Sequence, residues 1–169
     1  CGQRWLKTAK EGKTYNLHVN ISARQLDSRD ILAKIRDILE STGFMPGSLC
    51  LEITESILMT PSMANILMNL KSMGIKLFID DFGTGFSSLS YLHRYPVDGI
   101  KIDYSFISSM LTSKKDSEIV RTIIAMGKTL QMPVTAEGVE TREQAEYLKK
   151  LGCGFGQGFL WGNPAESEI

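Results

Sequence analysis

The sequence predicts an α/β fold built on a parallel sheet, because short strand patterns alternate with helical patterns along its 169 residues. A second observation is that the strand patterns are apolar and almost unbroken, as expected where helices cover both faces of a sheet. The predicted strands are 16–22, 48–56, 75–81, 99–103, 133–139 and 154–161. Six strands that alternate with helices suit either an open doubly wound sheet or a barrel.

A third observation separates these two folds: almost every predicted strand carries a polar or acidic group near its carboxyl end. These residues are Asn20, Glu52 with Glu55, Asp80 with Asp81, Asp103, Glu137 and Gln157. In a (β/α)8 barrel all strand ends converge on one mouth, whereas an open sheet brings together groups from two or three strands. The sequence therefore predicts a TIM-like (β/α)8 barrel, here incomplete with about six of the eight β/α units.

Local signals mark the predicted helices. The first runs over 28–42 and stops at Gly43, and the second begins at Thr60 and Pro61 and continues to Met73. Further helices are predicted over 89–95 and 116–130. The last opens with Thr141-x-x-Gln144, the pattern of a capping box.

Composition excludes several classes of protein. The formal net charge is zero, so nothing indicates a nucleic-acid polymer or an anionic membrane as partner. The three cysteines show no C-x-x-C spacing, which predicts reduced thiols and a cytoplasmic location, although a longer parent protein could be tethered to a membrane. The chain begins with Cys rather than Met, and we expect the first two β/α units of the barrel to precede it.

The carboxylates at the strand ends predict a cation site. Asn20, Glu52 and Asp80 offer hard oxygen ligands from three successive strands, the set that suits Mg²⁺ or Mn²⁺, as one or two ions. Alternation along the strand places Lys101 and Asp103 on one face, so a buried Lys–Asp ion pair is the structural alternative.

Divalent cations beside a lysine and a further glutamate suit the hydrolysis of phosphate esters. Lys101 would supply a fixed positive charge, and Glu137 would act as the general base on a metal-activated water. His18 lies two residues before Asn20 and is predicted to face the same way, whereas His93 is predicted to be structural. Zinc spacing is absent.

These motifs resemble those of the EAL domain, the bacterial phosphodiesterase of the second messenger cyclic di-GMP. The resemblance is carried in order by "VNISARQL", "LEITES", "DDFGTGFSSLSYL", "VDGIKID", "VTAEGVET" and "GQGFLWGNP". It covers nearly the whole chain, so residues 1–169 are expected to be the carboxyl-terminal two-thirds of one EAL domain. It implies hydrolysis of cyclic di-GMP to linear pGpG with Mg²⁺ or Mn²⁺.

The resemblance also implies roles for individual residues. Asn20, Glu52 and Asp80 match family metal ligands, and Asp81 matches the second aspartate, which contributes to a second metal. It further implies regulatory or GGDEF-type domains in the parent protein. A homodimer is a separate expectation, because an incomplete barrel leaves strand edges unpaired.

Four more positions match the family, and Asp103 is a further predicted site residue. Lys101 matches the lysine near the attacking water, and Glu137 the glutamate essential for catalysis. Glu55 matches the glutamate that stabilises the glycine-rich loop after the paired aspartates. Gln157 and Asp103 are expected to contact the substrate.

The chain departs from the family pattern in places. It has no copy of the Glu-Ala-Leu motif or of the substrate-binding arginine that follows it, so we expect this segment alone to be inactive. Tyr104 stands where the family usually has arginine. A receptor that binds cyclic di-GMP without hydrolysis is the alternative function, and an unrelated metal-dependent barrel lyase or a structural protein is a third.

Overall fold

The computed structural model describes residues 15–85, 92 and 94–163. The strands are β1 (Leu17–Asn20), β2 (Leu49–Thr54), β3 (Lys76–Phe82), β4 (Gly99–Ile102), β5 (Val134–Glu137) and β6 (Phe155–Gln157). The helices are α1 (Ala23–Leu26), α2 (Ile31–Thr42), α3 (Glu55–Leu58), α4 (Met63–Ser72), α5 (Tyr104–Ser109), α6 (Lys114–Thr129) and α7 (Arg142–Leu151), with a 3₁₀ turn at Pro46–Ser48.

The strands follow one another in chain order in the sheet, from β1 to β6. The pairs β1–β2, β4–β5 and β5–β6 are parallel. A helix or helical turn separates successive strands wherever the connection is described, which is the alternation that the sequence predicts. No helix among the described residues is long and apolar enough to cross a membrane.

The chain divides into two compact units, and the boundary falls within β3. The first unit includes residues 15–78 and holds β1, β2 and the helices as far as α4. Its core contains fully buried aliphatic side chains, among them Ile53, Leu67 and Leu77. In this unit α2 ends at Gly43, whose positive φ of 63° allows the backbone to turn out of the helix.

The second unit includes residues 79–85 and 98–163. Both isoleucines of β4, Ile100 and Ile102, are fully buried in its core. The predicted capping box of α7 is present, since Thr141 and Gln144 exchange side-chain and backbone hydrogen bonds. The same glutamine donates a buried hydrogen bond to the carbonyl of Ile107, so it joins α7 to α5.

The element boundaries differ from the predicted ones at capping positions. The helix expected from Thr60 begins at Met63, because Pro61 belongs to a turn that precedes it. The helix expected from residue 116 begins at Lys114, because the Ser113 side chain caps it. Five of the six strands are shorter than predicted, whereas β3 keeps the predicted length of seven residues and is shifted by one residue. The helix predicted over 89–95, with His93, lies mostly outside the described residues.

Candidate active site

Three carboxylates of the second unit lie together where β3 and β5 end. Asp80, Asp81 and Glu137 each offer one oxygen, and these oxygens all lie within 4.8 Å of one another. Such a group of hard oxygen donors fits a divalent cation of the Mg²⁺ or Mn²⁺ type. Asp80 and Asp81 are predicted ligands, whereas Glu137 is predicted as a base, so the structure places one more acid in this cluster than expected.

The backbone explains how two consecutive aspartates reach the same place. Side chains in a regular strand alternate between faces, so Asp80 and Asp81 should point apart. Asp81, however, has a φ of 52°, in the left-handed region that asparagine and aspartate adopt more readily than most residues. Thr84 holds the turn that follows, because its hydroxyl and amide both donate to the Asp81 carbonyl. Backbone strain of this kind is common at functional sites.

Lys101, on β4, supplies a positive charge to this cluster. Its Nζ atom lies 3.2 Å from Oδ1 of Asp80 and 2.5 Å from Oε1 of Glu137, and its side chain is only 4% exposed. A buried ammonium group needs such partners, since an unpaired charge away from water is costly. Asp80 and Glu137 are thus the observed ion-pair partners of Lys101.

The crowding of carboxylates changes the pKa of Asp81. Its pKa is raised above the ordinary aspartate value, first by burial and then by the neighbouring charge of Asp80, with Asp103 adding to the effect. The positive charge of Lys101 acts in the opposite direction. A bound divalent cation would favour the ionised form of the same carboxylate, so the local environment suits cation binding.

Asp103 has a structural task in addition to its position beside the cluster. It is the N-cap of α5, and its carboxylate accepts a 2.8 Å hydrogen bond from the amide of Ser105. A Lys101–Asp103 ion pair was the structural alternative, and the ion pairs observed for Lys101 are those with Asp80 and Glu137. A substrate-binding role for Asp103 stays a prediction.

The first unit presents the other two predicted ligands side by side. Asn20 and Glu52 are register partners at the carboxyl ends of β1 and β2. Glu52 is 4% exposed, and its Oε1 atom lies 2.8 Å from Nδ1 of His18. The side chains of Cys50 and Glu52 raise the pKa of His18 to about 9. His18 therefore lies beside the Glu52 carboxylate.

Glu55 and Gln157, two further predicted residues, lie on different elements. Glu55 opens α3, is 8% exposed, and its two carboxylate oxygens accept no hydrogen bond from any residue that the structure describes. The loop predicted to need this glutamate, Gly83–Ser88, is described only as far as Gly85. Gln157 ends β6 and is exposed, and its backbone carbonyl accepts a hydrogen bond from Val139.

Tyr104 occupies a place beside the acidic cluster that the sequence alone did not reveal. Its ring packs against Gly138, the residue after Glu137, so closely that a Cβ atom at position 138 would overlap the ring. Gly138 has a φ of 66°, which further favours glycine. The only sequence signal for this contact is the glycine that follows the glutamate.

A parallel α/β fold with acidic residues and one buried lysine at the strand ends defines a candidate metal-dependent hydrolase, and comparison with known proteins gives its family. The profile of the EAL domain family matches residues 3–164. The chain belongs to the EAL domain family.

Curated relatives agree with this assignment. The chain is 44% identical over 156 residues to the bifunctional diguanylate cyclase/cyclic di-GMP phosphodiesterase MucR of Pseudomonas aeruginosa, covering 91% of this chain and 23% of that protein. It is 42% identical over 148 residues to the cyclic di-GMP phosphodiesterase NbdA of the same organism, covering 86% of this chain and 19% of that protein. The chain thus spans about a fifth of the length of these multidomain relatives.

Solved structures show the same fold. A complex of the PaMucR phosphodiesterase with c-di-GMP matches with a TM-score of 0.93 and 41% identity, covering 99% of this chain and 68% of that one. BlrP1 of Klebsiella pneumoniae, in a manganese/c-di-GMP complex, matches with a TM-score of 0.85 and 32% identity, covering 97% of this chain and 41% of that one. The predicted TIM-like fold class is confirmed, and the alternative of an unrelated barrel lyase or structural protein is wrong.

Proposed function

We propose that this chain contributes the catalytic residues of a phosphodiesterase that hydrolyses cyclic di-GMP to the linear dinucleotide pGpG. The observation that carries the proposal is the cluster of Asp80, Asp81 and Glu137, with the buried Lys101 ammonium beside two of its members. The relatives named as cyclic di-GMP phosphodiesterases support the choice of substrate.

We propose Mg²⁺ or Mn²⁺, as one or two ions, for the cofactor. Asp80 and Asp81 are the proposed ligands in the second unit. Asn20 and Glu52 are the proposed ligands in the first unit. Solved structures of a relative with calcium and with manganese support a divalent cation. We propose Mg²⁺ or Mn²⁺ in particular because both prefer oxygen ligands. When bound, such a cation polarises the phosphoryl group and lowers the pKa of a water molecule.

The protein's own groups have complementary tasks in this proposal. Lys101 presents a fixed positive charge, held in place by Asp80 and Glu137, to the negative charge that develops on the phosphoryl oxygens. Glu137 accepts the proton of the attacking water, since its carboxylate lies at the same strand ends as the aspartates. The substrate phosphate would compete for Lys101 and so release Glu137 from its ion pair.

A receptor that binds cyclic di-GMP without hydrolysis is the less favoured function. A degenerate member of the family would be expected to lose acids from its motifs, whereas this chain keeps acids at the five positions Glu52, Asp80, Asp81, Glu137 and Glu55.

We further propose a wider context for the domain. Regulatory or GGDEF-type domains in the same protein are supported by the multidomain length of the curated relatives. A homodimer and a cytoplasmic site of action stay predictions.

The proposed function is tested by incubating the full-length protein with cyclic di-GMP and Mn²⁺ or Mg²⁺ and separating the products by chromatography. We expect pGpG to accumulate, and Asp80→Asn to abolish both metal binding and turnover while the far-ultraviolet circular dichroism stays unchanged. Tight binding of cyclic di-GMP with no product would favour the receptor. Normal metal binding by Asp80→Asn would show that the cation site lies elsewhere.

A further inference from the structure

In the hydrogen bond between His18 and Glu52, the imidazole is the donor and the carboxylate is the acceptor. Nδ1 of His18 lies 2.8 Å from Oε1 of Glu52, which is the distance of a strong hydrogen bond. An ionised carboxylate can only accept, so the hydrogen in this contact belongs to Nδ1 of the imidazole. His18 thus donates to one defined oxygen of the Glu52 carboxylate.

The imidazole is itself held by an aromatic neighbour. The ring of Phe78 lies 5.1 Å from that of His18, with an angle of 68° between the two planes, an edge-to-face arrangement. Strand alternation explains the meeting, because His18 and Phe78 each stand two residues before a predicted metal ligand, Asn20 and Asp80 respectively. Phe78 is 7% exposed, so this support comes from a side chain that is itself packed in place.

Because Glu52 is buried, its hydrogen bond with His18 matters for the orientation of the carboxylate. Its side chain is 4% exposed, whereas that of His18 is 36% exposed. A buried carboxylate that must coordinate a cation needs its orientation held by neighbouring donors, and such partners typically change metal affinity by roughly 10- to 100-fold when they are removed.

We propose that His18 is a positioning residue for Glu52: its Nδ1–H group orients the Glu52 carboxylate for binding of the catalytic divalent cation. The inference deepens the proposed function and rests on it, since Glu52 is a cation ligand only if that function holds. Since Nδ1 of His18 is engaged with Oε1 of Glu52, we assign this nitrogen to Glu52 and not to the cation.

The experiment compares two replacements of His18 in the full-length protein. His18→Asn keeps an N–H donor close to the position of Nδ1, whereas His18→Leu keeps the bulk and loses the donor. Val19→Thr is the matched control, because Val19 is the next residue on the same strand and its side chain points the other way. Mn²⁺ affinity is measured without substrate, from the electron paramagnetic resonance signal of free Mn²⁺, and thermal unfolding is recorded in chelator.

We expect His18→Leu to weaken Mn²⁺ binding by roughly 10- to 100-fold, and His18→Asn to restore affinity to within about threefold of the parent. Val19→Thr should bind Mn²⁺ as the parent does. The metal-free unfolding temperatures of the two His18 variants should be similar, so that the difference in affinity does not follow stability.

Two results would overturn the inference, and they differ. If the parent binds Mn²⁺ and both His18 variants bind it equally well, or both bind it equally poorly, His18 does not act through its donor and the proposed function is untouched. If the parent neither binds Mn²⁺ nor hydrolyses cyclic di-GMP, the proposed function fails, and the role of His18 fails with it.

Discussion

Replacement of Lys101 by methionine tests whether the acidic cluster depends on one buried positive charge. Methionine has nearly the same length as lysine, so the change removes the charge and leaves little empty space. The side chain is 4% exposed and its ammonium lies 3.2 Å from Asp80 and 2.5 Å from Glu137. The replacement would leave the three carboxylates of the cluster without this counter-charge.

The expected loss follows from these contacts. Across about 3 Å, at an effective dielectric constant of roughly 20, each ion pair contributes on the order of 5 kcal/mol of Coulomb attraction before desolvation is subtracted. Breaking a buried pair by removing one partner typically costs about 3–5 kcal/mol. The side chains of Asp80 and Glu137 are 14% and 17% exposed, so water still solvates them and weakens the repulsion between their carboxylates once the lysine charge is removed. We therefore expect a loss of about 3 kcal/mol, equivalent to a fall in Tm of roughly 6–12 °C.

The assay is thermal unfolding in chelator and then in Mn²⁺. Mn²⁺ should stabilise Lys101→Met more than it stabilises the parent, because a bound cation supplies the missing positive charge; saturation at about 100 times Kd contributes roughly 2.7 kcal/mol. Lys34→Met is the matched control, since Lys34 lies 4.0 Å from Asp30 and their side chains are 63% and 70% exposed. That control should change stability by less than about 0.5 kcal/mol. A Lys101→Met protein as stable as Lys34→Met in chelator would refute this account of the cluster.

Three further predictions concern other residues of the second unit. Glu137→Ala should lower turnover of cyclic di-GMP by at least about 100-fold, the usual worth of a general base, and a near-parental rate in a product assay would remove Glu137 from the mechanism. Gly138→Ala should lower the free energy of unfolding in urea by about 1–3 kcal/mol, because it combines a positive φ with overlap of the Tyr104 ring. Adding Tyr104→Ala should recover part of this loss, and a Gly138→Ala protein of parental stability would contradict the prediction. Burial raises the pKa of the Cys153 thiol, so iodoacetamide at pH 8 should label the folded protein at Cys153 at least roughly tenfold more slowly than the protein unfolded in urea. Peptide mass spectrometry measures both rates, and equal rates would show an accessible thiolate.

The fold class could be predicted from the sequence because its signals are local. Strand and helix patterns alternate, glycine ends α2, and Thr141 with Gln144 caps α7, each within a few residues of chain. Polar residues at the strand ends predicted where the site lies, since parallel strands present their carboxyl ends at one edge. The same reasoning predicted that His18 faces the same way as Asn20, because side chains alternate along a strand.

The composition of the acidic cluster was decided by the tertiary structure. Alternation alone would separate Asp80 from Asp81, and only the left-handed backbone at Asp81, held within the folded turn, brings both carboxylates to Glu137. The ion-pair partners of Lys101 were also beyond local reasoning. The strand pattern left an ion pair with Asp103 open as an alternative, whereas the observed ion-pair partners of the ammonium are carboxylates on β3 and β5. Asp103 caps α5.

The physical reason for this division is the range of the interactions involved. Helix caps, turns and face periodicity depend on residues a few positions apart, so the sequence by itself determined the β/α alternation and the kinds of residue at the strand ends. Contacts of Lys101 with Asp80 and Glu137 join residues more than 20 positions apart, and they depend on strand register and on the conformation of one aspartate. Only the packed structure sets those two quantities, and with them the chemistry of the site.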